Sequence, residues 1–471
     1  MTGSNHDPRG NRDFVGARVV DPKLGLDAIR TIVVRRGVVA ALLEGAPAAT
    51  DADSERIDCA GMVLCPGFID PHVHLRTPGD ANKETLETGL AAAAAGGFTA
   101  VAAMPNTRPA LDNPERIESL RADAARLHGP HCYPIGAITI DRAGGEIAPL
   151  RGMAAAGAVA FSDDGAATWS LKTLYNAARY VLDLPQPFLS HCDDPSFDGG
   201  LMNEGETSSL LGIVAAPAVS EAAIAARDIM IAQATGKAWH LCHVSSAQTV
   251  ELLRWARAAG IRVTAEVTPH HLQCTEEMLA GFEARFRVNP PLRTAADTAA
   301  LRAAVSEGLI TIFACDHAPH TESEKEPPLS HACVGFTGLE IAVGATFHAL
   351  QNVELATMIK NFSANPAALL GVPGGTLEPG APADITGLYL QRPWTVDPKR
   401  FLSKGHTTPF AGLTFNVKPA LTVVGGSVLM REGIVQPATS QTVDTRSTAT
   451  HPPVDIKSTA THPATSQERS M

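Results

Sequence analysis

Residues 70–79 read DPHVHLRTPG, directly after the apolar run 62–69, MVLCPGFI. A run of that length and character predicts a buried strand. Alternate residues of a strand point the same way, so His72 and His74 face one point at its end. Arg76 follows on that side if the strand direction persists. Two imidazoles converging at a strand end suit a borderline metal such as Zn2+. A pair of ordinary polar residues in a loop is the competing reading of an HxH taken alone.

The rest of the chain decides between them. Strand-like runs occur at 63–69, 98–104, 132–138, 158–162, 187–191, 239–244, 262–268 and 310–316. Helical patterns separate most of them, at 84–95, 171–182, 220–234, 247–259 and 298–308. The first of these ends at Gly96-Gly97, which fits a helix C-cap. Strand and helix alternating eight times predicts an α/β fold, a TIM-like (β/α)8 barrel over 62–375. The rival, an open doubly wound sheet, lacks a GxGxxG turn after the first strand. Residues 14–61 and 376–435 carry short β-type runs broken by Gly and Pro. Neither piece has enough strands for a stable sheet, so the two are expected to pair into one small β-sandwich.

From residue 436 the chain repeats STATHP at 447–452 and 458–463, and PATSQ at 437–441 and 463–467. So few large apolar side chains cannot order a segment, and 436–471 reads as a disordered tail. Its His451 and His462 belong to the repeat and are not taken as ligands. A net charge of −11 over 471 residues argues against nucleic acid and anionic membranes as partners. An anionic small substrate remains compatible, because a local Arg outweighs the global sign. The N-terminus is polar, and no run approaches the ~18 apolar residues of a membrane span. The eight cysteines form no CxxC pair and read as reduced core thiols of a cytoplasmic protein.

In a barrel the chemistry sits at the C-terminal ends of the strands. Those ends offer His72 and His74, then Asp163 or Asp164, then His191, His243 and Asp316. The whole chain has only 17 histidines, so chance explains this rim poorly. Singly, His191 or His243 would more often be a satisfied core histidine, roughly two to one. His240 competes with His243. It lies three residues earlier, so the two are expected on opposite faces, and His243 is nearer the strand end. One of Asp163 and Asp164 is expected to coordinate, while the other caps a segment or binds backbone amides. These ligands exceed the needs of one tetrahedral ion. The economical reading is two Zn2+ ions, one held by His72, His74 and Asp316, the other by His191 and His243, with Asp164 bridging. Such a pair activates water and polarises a carbonyl, which predicts hydrolysis, or its reverse, at an amide-like carbon. Asp316 is the candidate for shuttling the proton.

Taken in order, DPHVHLRTPG, KETLETGLAAAAAGGFTAVAAMPNTRP, FSDDG, SHCDD, CHVSS, VNPPLR and CDHAPHTESEK resemble the class I bacterial dihydroorotases of the amidohydrolase superfamily. The resemblance spans roughly residues 19–435. It implies reversible cyclisation of N-carbamoyl-L-aspartate to L-dihydroorotate in pyrimidine synthesis. It also implies that Arg76, Asn106 and His320 hold the substrate carboxylate, a task that suits an Arg fork. Asn289 matches a further substrate contact, Val334 and Gly335 a backbone site over the substrate ring, and Asp316 the general acid/base. Many amidohydrolases bridge their metals with a carboxylated lysine. Residues 157–165, GAVAFSDDG, hold none, and the 27-residue spacing to His191 favours Asp164 by analogy with aspartate-using members. Thr77 replaces a more common Glu, and Cys333 and Val334 stand where Pro and Phe are typical. The charged stretch 321–328 reads as a surface loop or lid.

A hydantoinase or allantoinase is one alternative. The absent lysine, Arg76 and Asn106 speak against it. A non-catalytic homologue that scaffolds aspartate transcarbamoylase is another, and the six intact ligands speak against that. Self-association, and binding of a catalytic subunit to the transcarbamoylase, are compatible with the sequence.

Overall fold

The computed structural model describes residues 10–45, 51, 53–166 and 170–436. The repetitive tail lies outside the described residues, apart from Gln436. Eight parallel strands form the barrel: Phe68–Val73, Phe98–Ala103, His131–Gly136, Ala160–Ser162, Phe188–Ser190, Trp239–Leu241, Val263–Val267 and Ile312–Phe313. Each pairs with its neighbour in chain order. Strand one meets the chain after strand eight through a parallel bridge between Val73 and His317, where the His74 amide donates to the His317 carbonyl at 2.9 Å. The barrel is thereby nearly closed.

Period two divides its strands into an inner and an outer face. Ile69, Ala100, Ala102, Met104, Ile135, Ala160, Leu189 and Cys242 form the inner core, together with Ala367 and Leu370 of the helix Ala364–Leu370. Facing outward, Phe98, Val101, Phe161, Phe188, Trp239 and Phe313 pack in one core with helix residues such as Leu90, Ile117, Leu174, Ile229, Leu253 and Leu301. Helix starts are set by capping side chains. Thr85, Asn113, Ser170, Ser246 and Thr294 each accept a hydrogen bond from a first-turn amide.

The run 62–69 is not one strand, contrary to its apolar pattern. Val63–Pro66 pairs with the N-terminal strand Arg12–Asp21 and, antiparallel, with Ile385–Tyr389. Gly67 ends it, and Phe68–Val73 starts the barrel. A Cβ at Gly67 would lie 2.1 Å from the Thr99 hydroxyl, so only glycine lets the chain pass this closely from one sheet to the other. His72 is consequently inside the first barrel strand and His74 one residue beyond it.

The terminal pieces, expected to pair into one small β-sandwich, instead join Val63–Pro66 in a single nine-stranded sheet. Phe14, Val19, Ile32 and Val34 share its core with Ile385, Leu421 and Val423. The sheet curls, bringing Gly426 near its opposite end, where the Gly426 carbonyl accepts from the Arg12 guanidinium at 2.6 Å. All eight cysteines are free thiols, and among the described residues no helix is long and apolar enough to cross a membrane.

Candidate metal centre and substrate pocket

The six side chains expected at the rim converge there. His72, His74, Asp164, His191 and His243 are buried, and the Asp316 side chain is 12% exposed. Asp164 sits among all four imidazoles. Its Oδ1 lies 3.3 Å from His72 Nε2, 3.7 Å from His191 Nδ1 and 3.8 Å from His243 Nε2, and its Oδ2 lies 3.5 Å from His74 Nε2. Asp316 Oδ1 lies 3.1 Å from His74 Nε2 and 3.6 Å from His72 Nε2. Two ligand sets arise, His72–His74–Asp316 and His72–Asp164–His243, each with its donor atoms within 4.8 Å of one another. His191 stands beside the second set, its Nδ1 2.9 Å from His243 Nε2.

Backbone turns aim these groups. Arg76, His243 and Asp316 have φ of 56°, 32° and 49°, the left-handed region that non-glycine residues seldom occupy. Each lies just past a strand end, so the turn swings its side chain over the barrel mouth. This overturns the expectation that His240 and His243 occupy opposite faces. Strand six ends at Leu241, period two no longer applies at His243, and both rings reach the interior. His240 Nε2 lies 3.0 Å from Glu266 Oε2, and the His243 amide donates to Glu266 Oε1 at 3.2 Å.

The two aspartates divide their work. Asp163 accepts from the Ile138 and Thr139 amides at 2.9 and 3.0 Å and from the Thr139 hydroxyl at 2.7 Å. That satisfies a backbone corner and leaves Asp164 free to face the histidines. Burial alone would raise the Asp164 carboxyl, but the facing His72 charge and its neighbours hold it well below the usual range. Asp316 is likewise held low against burial, by the His74 hydrogen bond and the surrounding imidazoles.

The donors fit a divalent ion. His72 Nε2 and Asp164 Oδ1 are fully buried and find no hydrogen-bond partner. Their other atoms are committed: His72 Nδ1 meets Glu266 Oε1 at 2.7 Å, and His74 Nδ1 meets Asn106 Oδ1 at 2.7 Å. A carboxylate or amide oxygen behind a ring fixes the tautomer that turns the Nε2 lone pair towards a metal. Glu266 was missed in the sequence. Its signal was a lone acid inside the run 262–268, where burial demands a partner.

The residues expected to contact the substrate lie around this centre. Arg76 Nε donates to the Pro319 carbonyl at 3.4 Å, and Nη2 approaches His320 Nε2 at 3.4 Å. Among the described residues no carboxylate forms an ion pair with Arg76, although the side chain is largely removed from water. Asn106 spends its oxygen on His74, which leaves Nδ2 for a ligand. Asn289 Nδ2 donates to Asp193 Oδ2 at 2.9 Å and stands 3.2 Å from His191 Nε2, so Asp193 is a second residue that sequence reasoning passed over. His320 Nε2 is 2.8 Å from the Val334 carbonyl. Gly335, at φ 106°, donates its amide to Arg287 and accepts from Lys325 Nζ at 2.8 Å. Both backbone groups of Gly335 are therefore in use. The stretch 321–328 contains one helical turn, Glu322–Lys325, tethered through buried Lys325 to the carbonyls of Cys333 and Gly335.

Comparison with known proteins places this geometry. A Dihydro-orotase-like family model matches residues 61–249, and an Amidohydrolase family model matches 197–429. A dihydroorotase of Pelotomaculum thermopropionicum is 44% identical over 426 residues, covering 89% of this chain and 99% of the relative. One of Bacillus caldolyticus is 40% identical over 406 residues, covering 85% and 95%. Among solved structures, an L-hydantoinase from Arthrobacter aurescens superimposes with a TM-score of 0.82 at 24% identity, covering 91% of this chain and 97% of that one. At that identity the likeness speaks for the fold alone.

Proposed function

Because the chain belongs to the dihydroorotase-like family of amidohydrolases, we propose that it interconverts N-carbamoyl-L-aspartate and L-dihydroorotate at the barrel mouth, as a cytoplasmic step of pyrimidine synthesis. It is a hydrolase of cyclic-amide carbon–nitrogen bonds. The metal, zinc by the donor set and two ions per chain by the ligand count, would be held by His72, His74 and Asp316 and by His191 and His243, with Asp164 between. Bound there, it supplies a water of lowered pKa and polarises the ring carbonyl.

The chain's own residues do the rest. Arg76 offers a planar fork to the substrate carboxylate, and the Asn106 and Asn289 amides border the same space. Asp316, kept ionised by the imidazoles, accepts a proton at Oδ during ring opening and returns it to the leaving nitrogen. Ring closure runs the same transfers backwards. His320, Val334 and Gly335 form the wall beyond Arg76.

The observation that carries this reading is Arg76, a largely buried cation beside the ligand cluster with no carboxylate paired to it among the described residues. A neutral hydantoin gives that charge no partner. The intact set of six ligands likewise favours an enzyme over a scaffold. Turnover of dihydroorotate by the purified, metal-analysed protein tests the proposal. Chelation should abolish turnover and zinc restore it. Dihydroorotate left untouched by the metal-loaded protein, with hydantoin or allantoin opened instead, would overturn it.

A further inference from the structure

A second group of ligand-type side chains lies on the pocket wall, apart from the six at the barrel mouth. His320, Glu324 and Cys333 bring a ring nitrogen, a carboxylate oxygen and a thiol within 4.8 Å of one another. His320 follows strand eight, Glu324 belongs to the turn Glu322–Lys325, and Cys333 directly precedes Val334 and Gly335.

His320 is only 8% exposed, and its Nδ1 is buried with no hydrogen-bond partner. Its tautomer follows from its contacts. The Val334 carbonyl, which can only accept, is 2.8 Å from Nε2, closer than Arg76 Nη2 at 3.4 Å. Nε2 therefore carries the proton and Nδ1 presents a lone pair. That lone pair faces Glu324 Oε2 at 3.4 Å. Glu324 Oε2 also accepts from the Thr321 amide and hydroxyl, each at 3.1 Å. No proton lies between it and the unpartnered Nδ1, so the gap between the two electron-rich atoms suits an electrophile. A second proton is a poor one, because burial and then the Arg76, Lys83 and Lys325 charges push the imidazole down to about 3. The partly exposed Cys333 supplies a soft third donor.

We propose that His320 Nδ1, Glu324 and Cys333 form an additional site for a thiophilic divalent cation such as Zn2+, Co2+ or Cd2+, which clamps the pocket wall and inhibits turnover. Ligands at 2.0–2.3 Å from a tetrahedral ion stand roughly 3.3–3.8 Å apart, so modest side-chain rotations close the set, with solvent in the fourth position. On binding, the thiol proton passes to solvent and the thiolate donates its pair to the ion. The carboxylate and thiolate charges balance the dication. Lys83, 2.8 Å from Glu324 Oε1, and Lys325 oppose it, which makes this a site for metal in excess rather than a permanently filled one. Filling it ties His320 to the turn and to the strap that carries Val334 and Gly335.

The test uses full-length zinc-loaded protein, dialysed, metal-analysed and titrated with Co2+, alongside Cys333→Ser and Glu324→Gln. The expected result is one further ion per wild-type chain, a thiolate-to-cobalt charge-transfer band and a fall in turnover. Cys333→Ser should lose the band and the inhibition while keeping its basal turnover, and Glu324→Gln should bind the ion more weakly. A band that persists in Cys333→Ser would place the thiolate at another cysteine and overturn the site. So would saturation without any further ion. Both readouts are independent of which cyclic amide the centre opens.

Discussion

Glu266 shows how much of the centre depends on residues that touch no substrate. Its two oxygens bind His72 Nδ1, His240 Nε2 and the His243 amide, so one buried carboxylate orients two proposed ligands from below. Burial works against its ionisation, but the His72 and His240 contacts hold it at about 2. Glu266→Gln should weaken metal affinity about 10- to 100-fold, the usual effect of removing such a partner. Metal retention during dialysis reads this directly, and unchanged retention would mean that His72 needs no such support. The sequence displayed His72, His74, Asp164, His191, His243 and Asp316 because strand ends repeat in register. It did not display Glu266 or Asp193, whose partners come from distant strands and loops.

At the scale of elements, short apolar runs made most barrel strands legible, and the alternation with helical patterns, the first closed by Gly96-Gly97, gave the order of the barrel. Strand one was misread because continuous hydrophobicity does not reveal a change of sheet; the signal was the single Gly67 inside MVLCPGFI. The misjudged faces of His240 and His243 have the same origin, since periodicity fails where a strand stops and the backbone turns left-handed. Packing between elements also carries a pH dependence. Glu340, ahead of the helix Ala342–Ala349, accepts from the Leu402 and Ser403 amides at 2.7 and 3.2 Å, and burial pushes its carboxyl from 4.5 up to about 8. Between those values the folded chain keeps a proton that the unfolded chain has lost, so stability falls as pH rises through that window and levels off above it. Glu340→Gln keeps the acceptor and removes the titration. Its Tm should match the parent near pH 4 and exceed it above pH 8. A constant difference at all pH values would contradict this. Phe362, whose ring centre lies 4.9 Å from those of both Phe68, on which it stacks, and Phe313, to which it is tilted, holds its helix against the barrel wall. Phe362→Ala should cost about 3–5 kcal/mol in denaturant unfolding, as large core truncations do.

Across the described residues, the N- and C-terminal pieces meet in one curled sheet, and the chain leaves it at Gly67 to begin the barrel. The small sheet is thus continuous with the strand that bears His72. Its last strand is Ile434–Val435, and every residue assigned to the site precedes it. Removing residues 437–471 should therefore leave turnover and metal content unchanged. A large loss in either would give the tail a part in the enzyme.

A histidine–aspartate centre is proposed to work beside Arg76, which has no carboxylate partner among the described residues and selects an anionic ring. The measurement that tests it most directly compares kcat/KM for L-dihydroorotate and for hydantoin in the parent chain and in Arg76→Ala, with equal metal content. The parent chain should strongly prefer dihydroorotate. Losing the charged clamp should cost about 2–5 kcal/mol for that substrate, at least roughly thirtyfold, and leave hydantoin little changed. Equal losses for both substrates, or an undiminished preference in Arg76→Ala, would contradict it.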